Sequence, residues 1–438
     1  MDQNNSSAKN YLVPTLIIGL LFFIFGFITW VNSTLIPYLE VACELSPSQA
    51  VLVTFASYIA YAVMAFPSSW VLKKTGFKNG MVYGLLIMAL GALIFIPSAH
   101  TRFYWMFLCG LFIIGIGLAL LQTAANPYIT ILGPIESAAR RISVMGICNK
   151  GAGALAPLIM GSVLLTGMEK FQHLANLPVA AKDLLLQELA SRIVWPYIII
   201  AVAFIALAIA IRFSSLPDIR EEAETNPEHS VGEREHIFKY PYLWLGFITL
   251  FLYVGVEVLA GDTIQLYGHS GLNISLDIAR HFTTYTMLGM LGGYLLGIVL
   301  IPKVISQSGA LAVAAVLGLI FSFGVIFGKG EWSLSLPMIS EAPIHLNWSI
   351  TFLALLGFAN APMWPAIWPL SIDGLGRFLK AGSALLIVAI AGGAILPKLW
   401  TMIAARQGVG MQQAFWIFIP CYAFILFFAL KGHKAGKA

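Results

Sequence analysis

The stretch GIGLALLQTAANPYITILGPIESAARRISVMGICNKGAGALAP, Gly115 to Pro157, decides how the rest of the chain is read. Its apolar runs are each long enough to cross a bilayer, which takes about 20 residues, yet they carry Gln122, Asn126, Asn149 and Lys150. Hydrocarbon offers such groups no partner, so they must face a cavity or a neighbouring helix. Pro127 removes one backbone donor and Gly133-Pro134 ends the helix, which puts Gln122 and Asn126 where it is least regular. The pattern is that of the binding half of a transporter.

Composition extends this reading to the whole chain. Of 438 residues 59% are hydrophobic and 10% charged, against about 25% charged in soluble domains. An all-α integral membrane protein follows. Of the 20 acidic residues, only Glu257 and Asp262 fall well inside an apolar segment, and they are the first place to look for function. Cys43, Cys109, Cys148 and Cys421 have no metal-binding or disulfide spacing. The opening MDQNNSSAKN lacks the features of a cleavable leader, so the first apolar segment is expected to remain as a spanning helix. A net charge of +5, spread along the chain, makes no nucleic-acid patch.

Apolar stretches place helices near 12–39, 47–72, 78–99, 103–132, 138–166 and 192–214, then near 241–267, 279–304, 309–328, 348–372, 380–403 and 411–431. The domains are an N-terminal segment 1–11, a six-helix half 12–214, a linker 215–240, a second six-helix half 241–431 and a tail 432–438. Loops on the side of the N-terminus carry about twice the Lys and Arg of the opposite side, which places both termini in the cytoplasm. Lys150 and Lys398 are the basic residues that fall within spans. The segment from Ser214 to Lys239 is charged and poor in large apolar residues, as a solvated linker is. The outer loop from Glu169 to Arg192 intersperses leucines with Lys182, Asp183 and Glu188, which reads as a short helix at the membrane surface. The halves also echo each other, AGALAP at Ala152 to Pro157 recurring as GGAILP at Gly392 to Pro397.

These motifs carry a resemblance. QTAANPYITILGP from Gln122 to Pro134, ARRISVMGICNK after it, LKKTGFKNG from Leu72 to Gly80 and YVGVEVLAGD from Tyr253 to Asp262 resemble the fucose/proton symporter family of the major facilitator superfamily. The likeness extends through most of both halves. It implies a twelve-helix fold of two parallel halves, in the inner membrane of a bacterium, moving a neutral monosaccharide by alternating access. The proton-coupled fucose carriers place a carboxylate in the first and in the fourth helix; here Ser33, beside Asn32, and Gln122 stand there, and neither can carry a proton. Glu257 and Asp262 bring the charge back on the seventh helix. In that the chain is similar to the branch associated with sodium-coupled uptake of glucose, galactose, mannose or N-acetylglucosamine.

Each candidate has a chemical reason. Asn32, Gln122, Asn126 and Asn149 both donate and accept hydrogen bonds without charge, as recognition of sugar hydroxyls requires, and otherwise serve as glue between helices. Trp364 and Trp368 lie four apart on one helix face, where an indole can stack on a sugar ring, although tryptophan also populates membrane interfaces. Glu257 and Asp262, five apart, point about 140° from each other on an ideal helix. They would share a sodium ion only if Ala260-Gly261 loosens the helix. Glu257 could otherwise bind sugar, carry a proton, or pair with Lys150. Gly289, Gly293 and Gly297 make a ladder explained by close packing.

The expectation is therefore a sodium-driven importer of a hexose or N-acetylhexosamine that works as a monomer, with Na+ as coupling ion and no cofactor. Its rivals are a proton symporter, an uncoupled facilitator and a membrane sugar sensor. No nucleophile/base pair or HExxH motif in the spans suggests an enzyme.

Overall fold

The computed structural model describes residues 3–131, 138–171, 178–214, 216, 236–301, 304–334, 344–375 and 378–436. Most of the linker, the Gly133-Pro134 break, and the side chains of Asn126, Pro127, Arg140 and Arg141 lie outside what is described. Helix dominates the rest, because backbone facing lipid must satisfy its own hydrogen bonds.

Ten of the described helices are long and apolar enough to cross a membrane, or eleven when Trp348–Asn360 and Met363–Ile372, bent by 40°, count as one broken span. The segment Pro47–Thr101 has 55 residues, about 80 Å of helix against about 30 Å of hydrocarbon. It must cross twice. Its division falls at Gly76, where φ 76° and ψ 169° require a residue without a Cβ. Twelve spans result, as read from the sequence.

In chain order the first is Pro14–Ala42, the second and third are 52–75 and 77–101, the fourth Tyr104–Ile131 and the fifth Ala138–Leu164. The sixth is Val194–Phe213, the seventh Pro241–Asp262, the eighth Phe282–Leu300 and the ninth Gln307–Phe327. The broken pair is the tenth. The eleventh is Ala381–Ala404 and the twelfth Gly410–Leu430. The face where the first and second spans meet is termed outer below, for the sidedness the basic residues predict.

Small residues set the spacing between neighbours. A Cβ on Gly117 would sit 2.4 Å from the Gly84 carbonyl oxygen, so the third and fourth spans touch backbone to backbone. The eighth-span ladder packs at two of its three rungs. Gly289 and Gly293 meet Phe358 of the tenth span, whereas Gly297 has only Ile301 near it.

Two outer elements cover the bundle. Val179–Ser191 is a helix, as the loop's leucines predict. It is also docked: Leu186 and Leu189 are buried, the Tyr38 hydroxyl donates to the Leu189 carbonyl at 2.6 Å, and Lys182 pairs with Glu44. A β-hairpin, β1 Glu331–Leu334 against β2 Ile344–Asn347, follows the ninth span. The apolar pattern predicts helices on either side of this region and no element within it. The pairing is capped by Trp332 stacked on Trp348 at 5.7 Å.

Candidate functional site

Trp30 of the first span is the hub of the interface between the halves, and it is 2% exposed. Its ring fits because glycine faces it on both sides. A Cβ on Gly153 of the fifth span would lie 2.5 Å from the indole, and one on Gly261 of the seventh 2.1 Å. Nothing in the sequence marks Trp30, since one tryptophan in an apolar helix looks like any other. Its signal is the pair of distant glycines, which only the fold brings together.

Beside the indole lies the charge. Lys150 Nζ sits 5.2 Å from the Trp30 ring centroid and 2.8 Å from Glu257 Oε1. The two side chains are 12% and 10% exposed. Ion pairs so enclosed are strong only when each partner stays in place, because a lone charge left behind is costly. The ring adds cation–π attraction for the ammonium. Of the roles open to Glu257, pairing with Lys150 is therefore the one the geometry displays.

Asp262 has different company. It is fully buried and accepts a hydrogen bond on Oδ2 from Thr54 Oγ1 of the second span at 3.3 Å. The condition set for one shared ion, a loosened turn at Ala260-Gly261, is not met: both residues remain in regular helix through Asp262. The break comes later, at Thr263, before a short turn Ile264–Leu266 and a wide turn at Tyr267–Gly271. Gly261 serves the close approach of Trp30 instead of freeing backbone.

The uncharged candidates form a network in the N-terminal half. Gln122 donates from Nε2 to the Tyr61 hydroxyl at 2.9 Å, and Tyr61 stacks near Tyr58 at 6.2 Å. Ser57 donates to Asn32 Oδ1 at 3.4 Å. Asn32, Ser57, Tyr58 and Tyr61 share a cleft with Gly115 and Leu118. Tyr58 also touches Gly393 of the eleventh span, which has no room for a Cβ. Asn149 binds elsewhere: its Nδ2 donates to the Phe22 carbonyl at 3.3 Å, tying the fifth span to the first, next to Gly26 where the backbones nearly touch. Trp364 and Trp368 stack on one another at 5.5 Å, and Trp364 lies 6.4 Å from Tyr253, one turn before Glu257.

Outward of Lys150 and Glu257 the halves are laced together. Gln265 donates to Ser33 at 3.3 Å, Thr284 to the Ala154 carbonyl at 3.1 Å and Arg280 to Thr166 at 2.7 Å. Farther out, Ser270 donates to Glu40 at 3.1 Å and Lys398 to the Ser48 carbonyl at 2.6 Å. Each of these side-chain hydrogen bonds between the halves lies outward of this pair. The arrangement is that of a carrier closed on its outer side.

Comparison with known proteins accounts for this architecture. The Major Facilitator Superfamily model matches residues 18–397. The chain belongs to the major facilitator superfamily. Members of this superfamily are transporters, not enzymes. Among curated members, the glucose/galactose transporter of Brucella abortus biovar 1 (strain 9-941) is 33% identical over 432 residues, 98% of this chain and 96% of that protein. The putative glucose/galactose transporter of Helicobacter pylori (strain ATCC 700392 / 26695) is 32% identical, covering 94% of this chain and 95% of its own. The L-fucose-proton symporter of Escherichia coli (strain K12) is 26% identical over 98% of this chain and 95% of its own. In fold, the chain is similar to the major facilitator transporter FucP in the outward conformation, with TM-score 0.70, 24% identity, and 96% of this chain and 98% of that one covered. The inward open xylose transporter XylE from E. coli gives TM-score 0.69 at 13% identity, with 96% of each chain covered.

Proposed function

We propose that this major facilitator protein imports a neutral hexose or N-acetylhexosamine by sodium symport, acting as a monomer in a bacterial inner membrane with both termini in the cytoplasm. The observation that carries the reading is the division of labour between two intramembrane acids. Glu257 is neutralised by Lys150, so the centre of the interface holds no net charge and suits an uncharged solute. Asp262 has no cationic side chain within ion-pair reach among the described residues and is fully buried. An unneutralised carboxylate is what a coupling cation needs. Relatives named glucose/galactose transporter support the sugar class.

In this reading Gln122, Asn32, Asn126 and Asn149 supply hydrogen bonds to hydroxyls, and Trp364 with Trp368 offers an apolar platform for the ring. Coupling requires that ion and sugar each bind better with the other present, typically by about 1–3 kcal/mol. The loaded and the empty carrier then alternate.

Proton coupling is the second reading, favoured by the relatives named L-fucose-proton symporter. Uptake of labelled glucose, galactose, mannose and N-acetylglucosamine into proteoliposomes separates the two. Sodium-driven accumulation that a protonophore leaves intact supports the first reading. Accumulation driven only by a proton gradient replaces it with the second, and exchange without accumulation leaves an uncoupled facilitator.

A further inference from the structure

We propose that Asp262, Gln265 and Thr34 form a monovalent-cation site at the junction of the two halves, and that its ion is sodium. The proposal rests on the sodium-coupled reading above and supplies the place that reading lacks.

Three buried oxygens at this junction have no hydrogen-bond partner: Asp262 Oδ1, Gln265 Oε1 and Thr34 Oγ1. Each belongs to a side chain that is 0% exposed. Buried polar atoms are nearly always partnered, so three orphans where the first span meets the end of the seventh call for an explanation. Their placement is set by the helices. Thr34 lies one turn beyond Trp30, on the face of the first span that packs on Gly261, and Asp262 follows Gly261 directly. Gln265 comes three residues later, and its amide reaches back to Ser33, beside Thr34.

The orientation of the Gln265 amide is fixed by its other contacts. Nε2 donates to the Arg280 carbonyl at 3.3 Å, an atom that can only accept, and to Thr283 Oγ1 at 3.1 Å. Thr283 in turn donates to the Gly261 carbonyl at 2.9 Å. Turning the amide over would set oxygen against a carbonyl oxygen, so Oε1 must be the atom left without a donor. What remains is a carboxylate oxygen, an amide oxygen and a hydroxyl, the hard donors that a hard cation selects. One carboxylate supplies a single negative charge. A monovalent ion cancels it, whereas a divalent ion would leave an unpaired positive charge in the membrane.

The site takes Thr34 from one half and Asp262 with Gln265 from the other. It is complete only while the outer ends are together, so bound sodium and the closed outer side stabilise each other. Opening outward separates the donors and exposes Asp262 to the medium from which the ion is drawn.

The test uses the full-length protein in proteoliposomes and sodium chloride alone as ligand, with potassium and choline chloride as references. Sodium is expected to raise the melting temperature of the sugar-free wild type where choline does not. Gln265→Leu and Thr34→Val are expected to raise half-saturating sodium for uptake roughly 10-fold, and Asp262→Asn to abolish the sodium response. Thr34→Ser keeps the oxygen and should keep the wild-type value, and a Thr34→Val melting curve in choline that matches wild type rules out misfolding. If wild type accumulates sugar on a sodium gradient but Thr34→Val and Gln265→Leu retain wild-type half-saturation, the site is wrong and the sodium reading stands. If wild type ignores sodium and accumulates sugar on a proton gradient, both fall. A response to potassium equal to that to sodium would overturn the identity of the ion.

Discussion

Lys150 and Glu257 meet across the interface of the two halves, Nζ to Oε1 at 2.8 Å, with Trp30 lying over the ammonium. Removing either partner strands the other, while removing both does not, and that asymmetry yields the first prediction.

Lys150→Met should destabilise the protein by about 3 kcal/mol and cut sugar uptake more than about tenfold. Lys150→Met combined with Glu257→Gln should recover most of the stability. Melting curves in detergent, beside uptake in vesicles, measure both. A double variant no more stable than Lys150→Met would mean that the pair is not a unit.

Gly261→Ala should impair transport although alanine favours helix. Its Cβ would lie 2.1 Å from the Trp30 ring, and overpacking of this kind costs about 1–3 kcal/mol. Trp30→Leu in the same chain should relieve the strain. Thermal stability of the two singles and the double gives the coupling, and additive effects would show that the two residues do not collide.

Gln122→Leu should raise the KM for sugar roughly tenfold or more, since a site that hydrogen-bonds a hydroxyl discriminates strongly once the group is gone. Tyr61→Phe removes only the acceptor that holds the Gln122 amide and should have a smaller effect. Initial rates across a range of sugar concentrations test this. An unchanged KM for Gln122→Leu would return Gln122 to a packing role.

Lys398→Met should favour opening of the outer side, because it deletes the bonds to Ser48. The expected readout is faster labelling, by about fivefold, of a cysteine introduced at Ser48 and probed from outside with a membrane-impermeant maleimide, compared with the same cysteine beside Lys398. Equal rates would remove Lys398 from the outer gate.

The spans were legible because hydrocarbon imposes one requirement on every residue within it, and a run of apolar side chains is the visible result. The division between the second and third spans falls between the helices expected near 47–72 and 78–99, at Gly76. The β-hairpin could not be read, since Glu331–Leu334 and Ile344–Asn347 are too short for alternation to stand out. For the site, the sequence singles out Glu257 and Asp262 as acids set inside an apolar segment but does not assign their partners. Lys150 and Thr54 come from other helices, and rotation of one helix against the next is set by contacts such as Trp30 on Gly153. Asn149 shows the same limit from the other side. Its amide chemistry suits a sugar, yet in this state its Nδ2 is spent on the Phe22 carbonyl.

The side-chain hydrogen bonds described above between the halves reach outward from Lys150–Glu257, and this gives the opening of the outer side a thermal character. Opening the outer side exchanges directional bonds, from Ser33–Gln265 out to Ser48–Lys398, for contacts with water, a change felt chiefly as enthalpy. Apolar contact weakens on cooling, whereas such bonds do not depend on that driving force. Cold should therefore collect the carrier in the outer-closed form, and warming should release it. The turnover rate would then rise with temperature more steeply than sugar affinity does, as in a machine with a latch at its outer end.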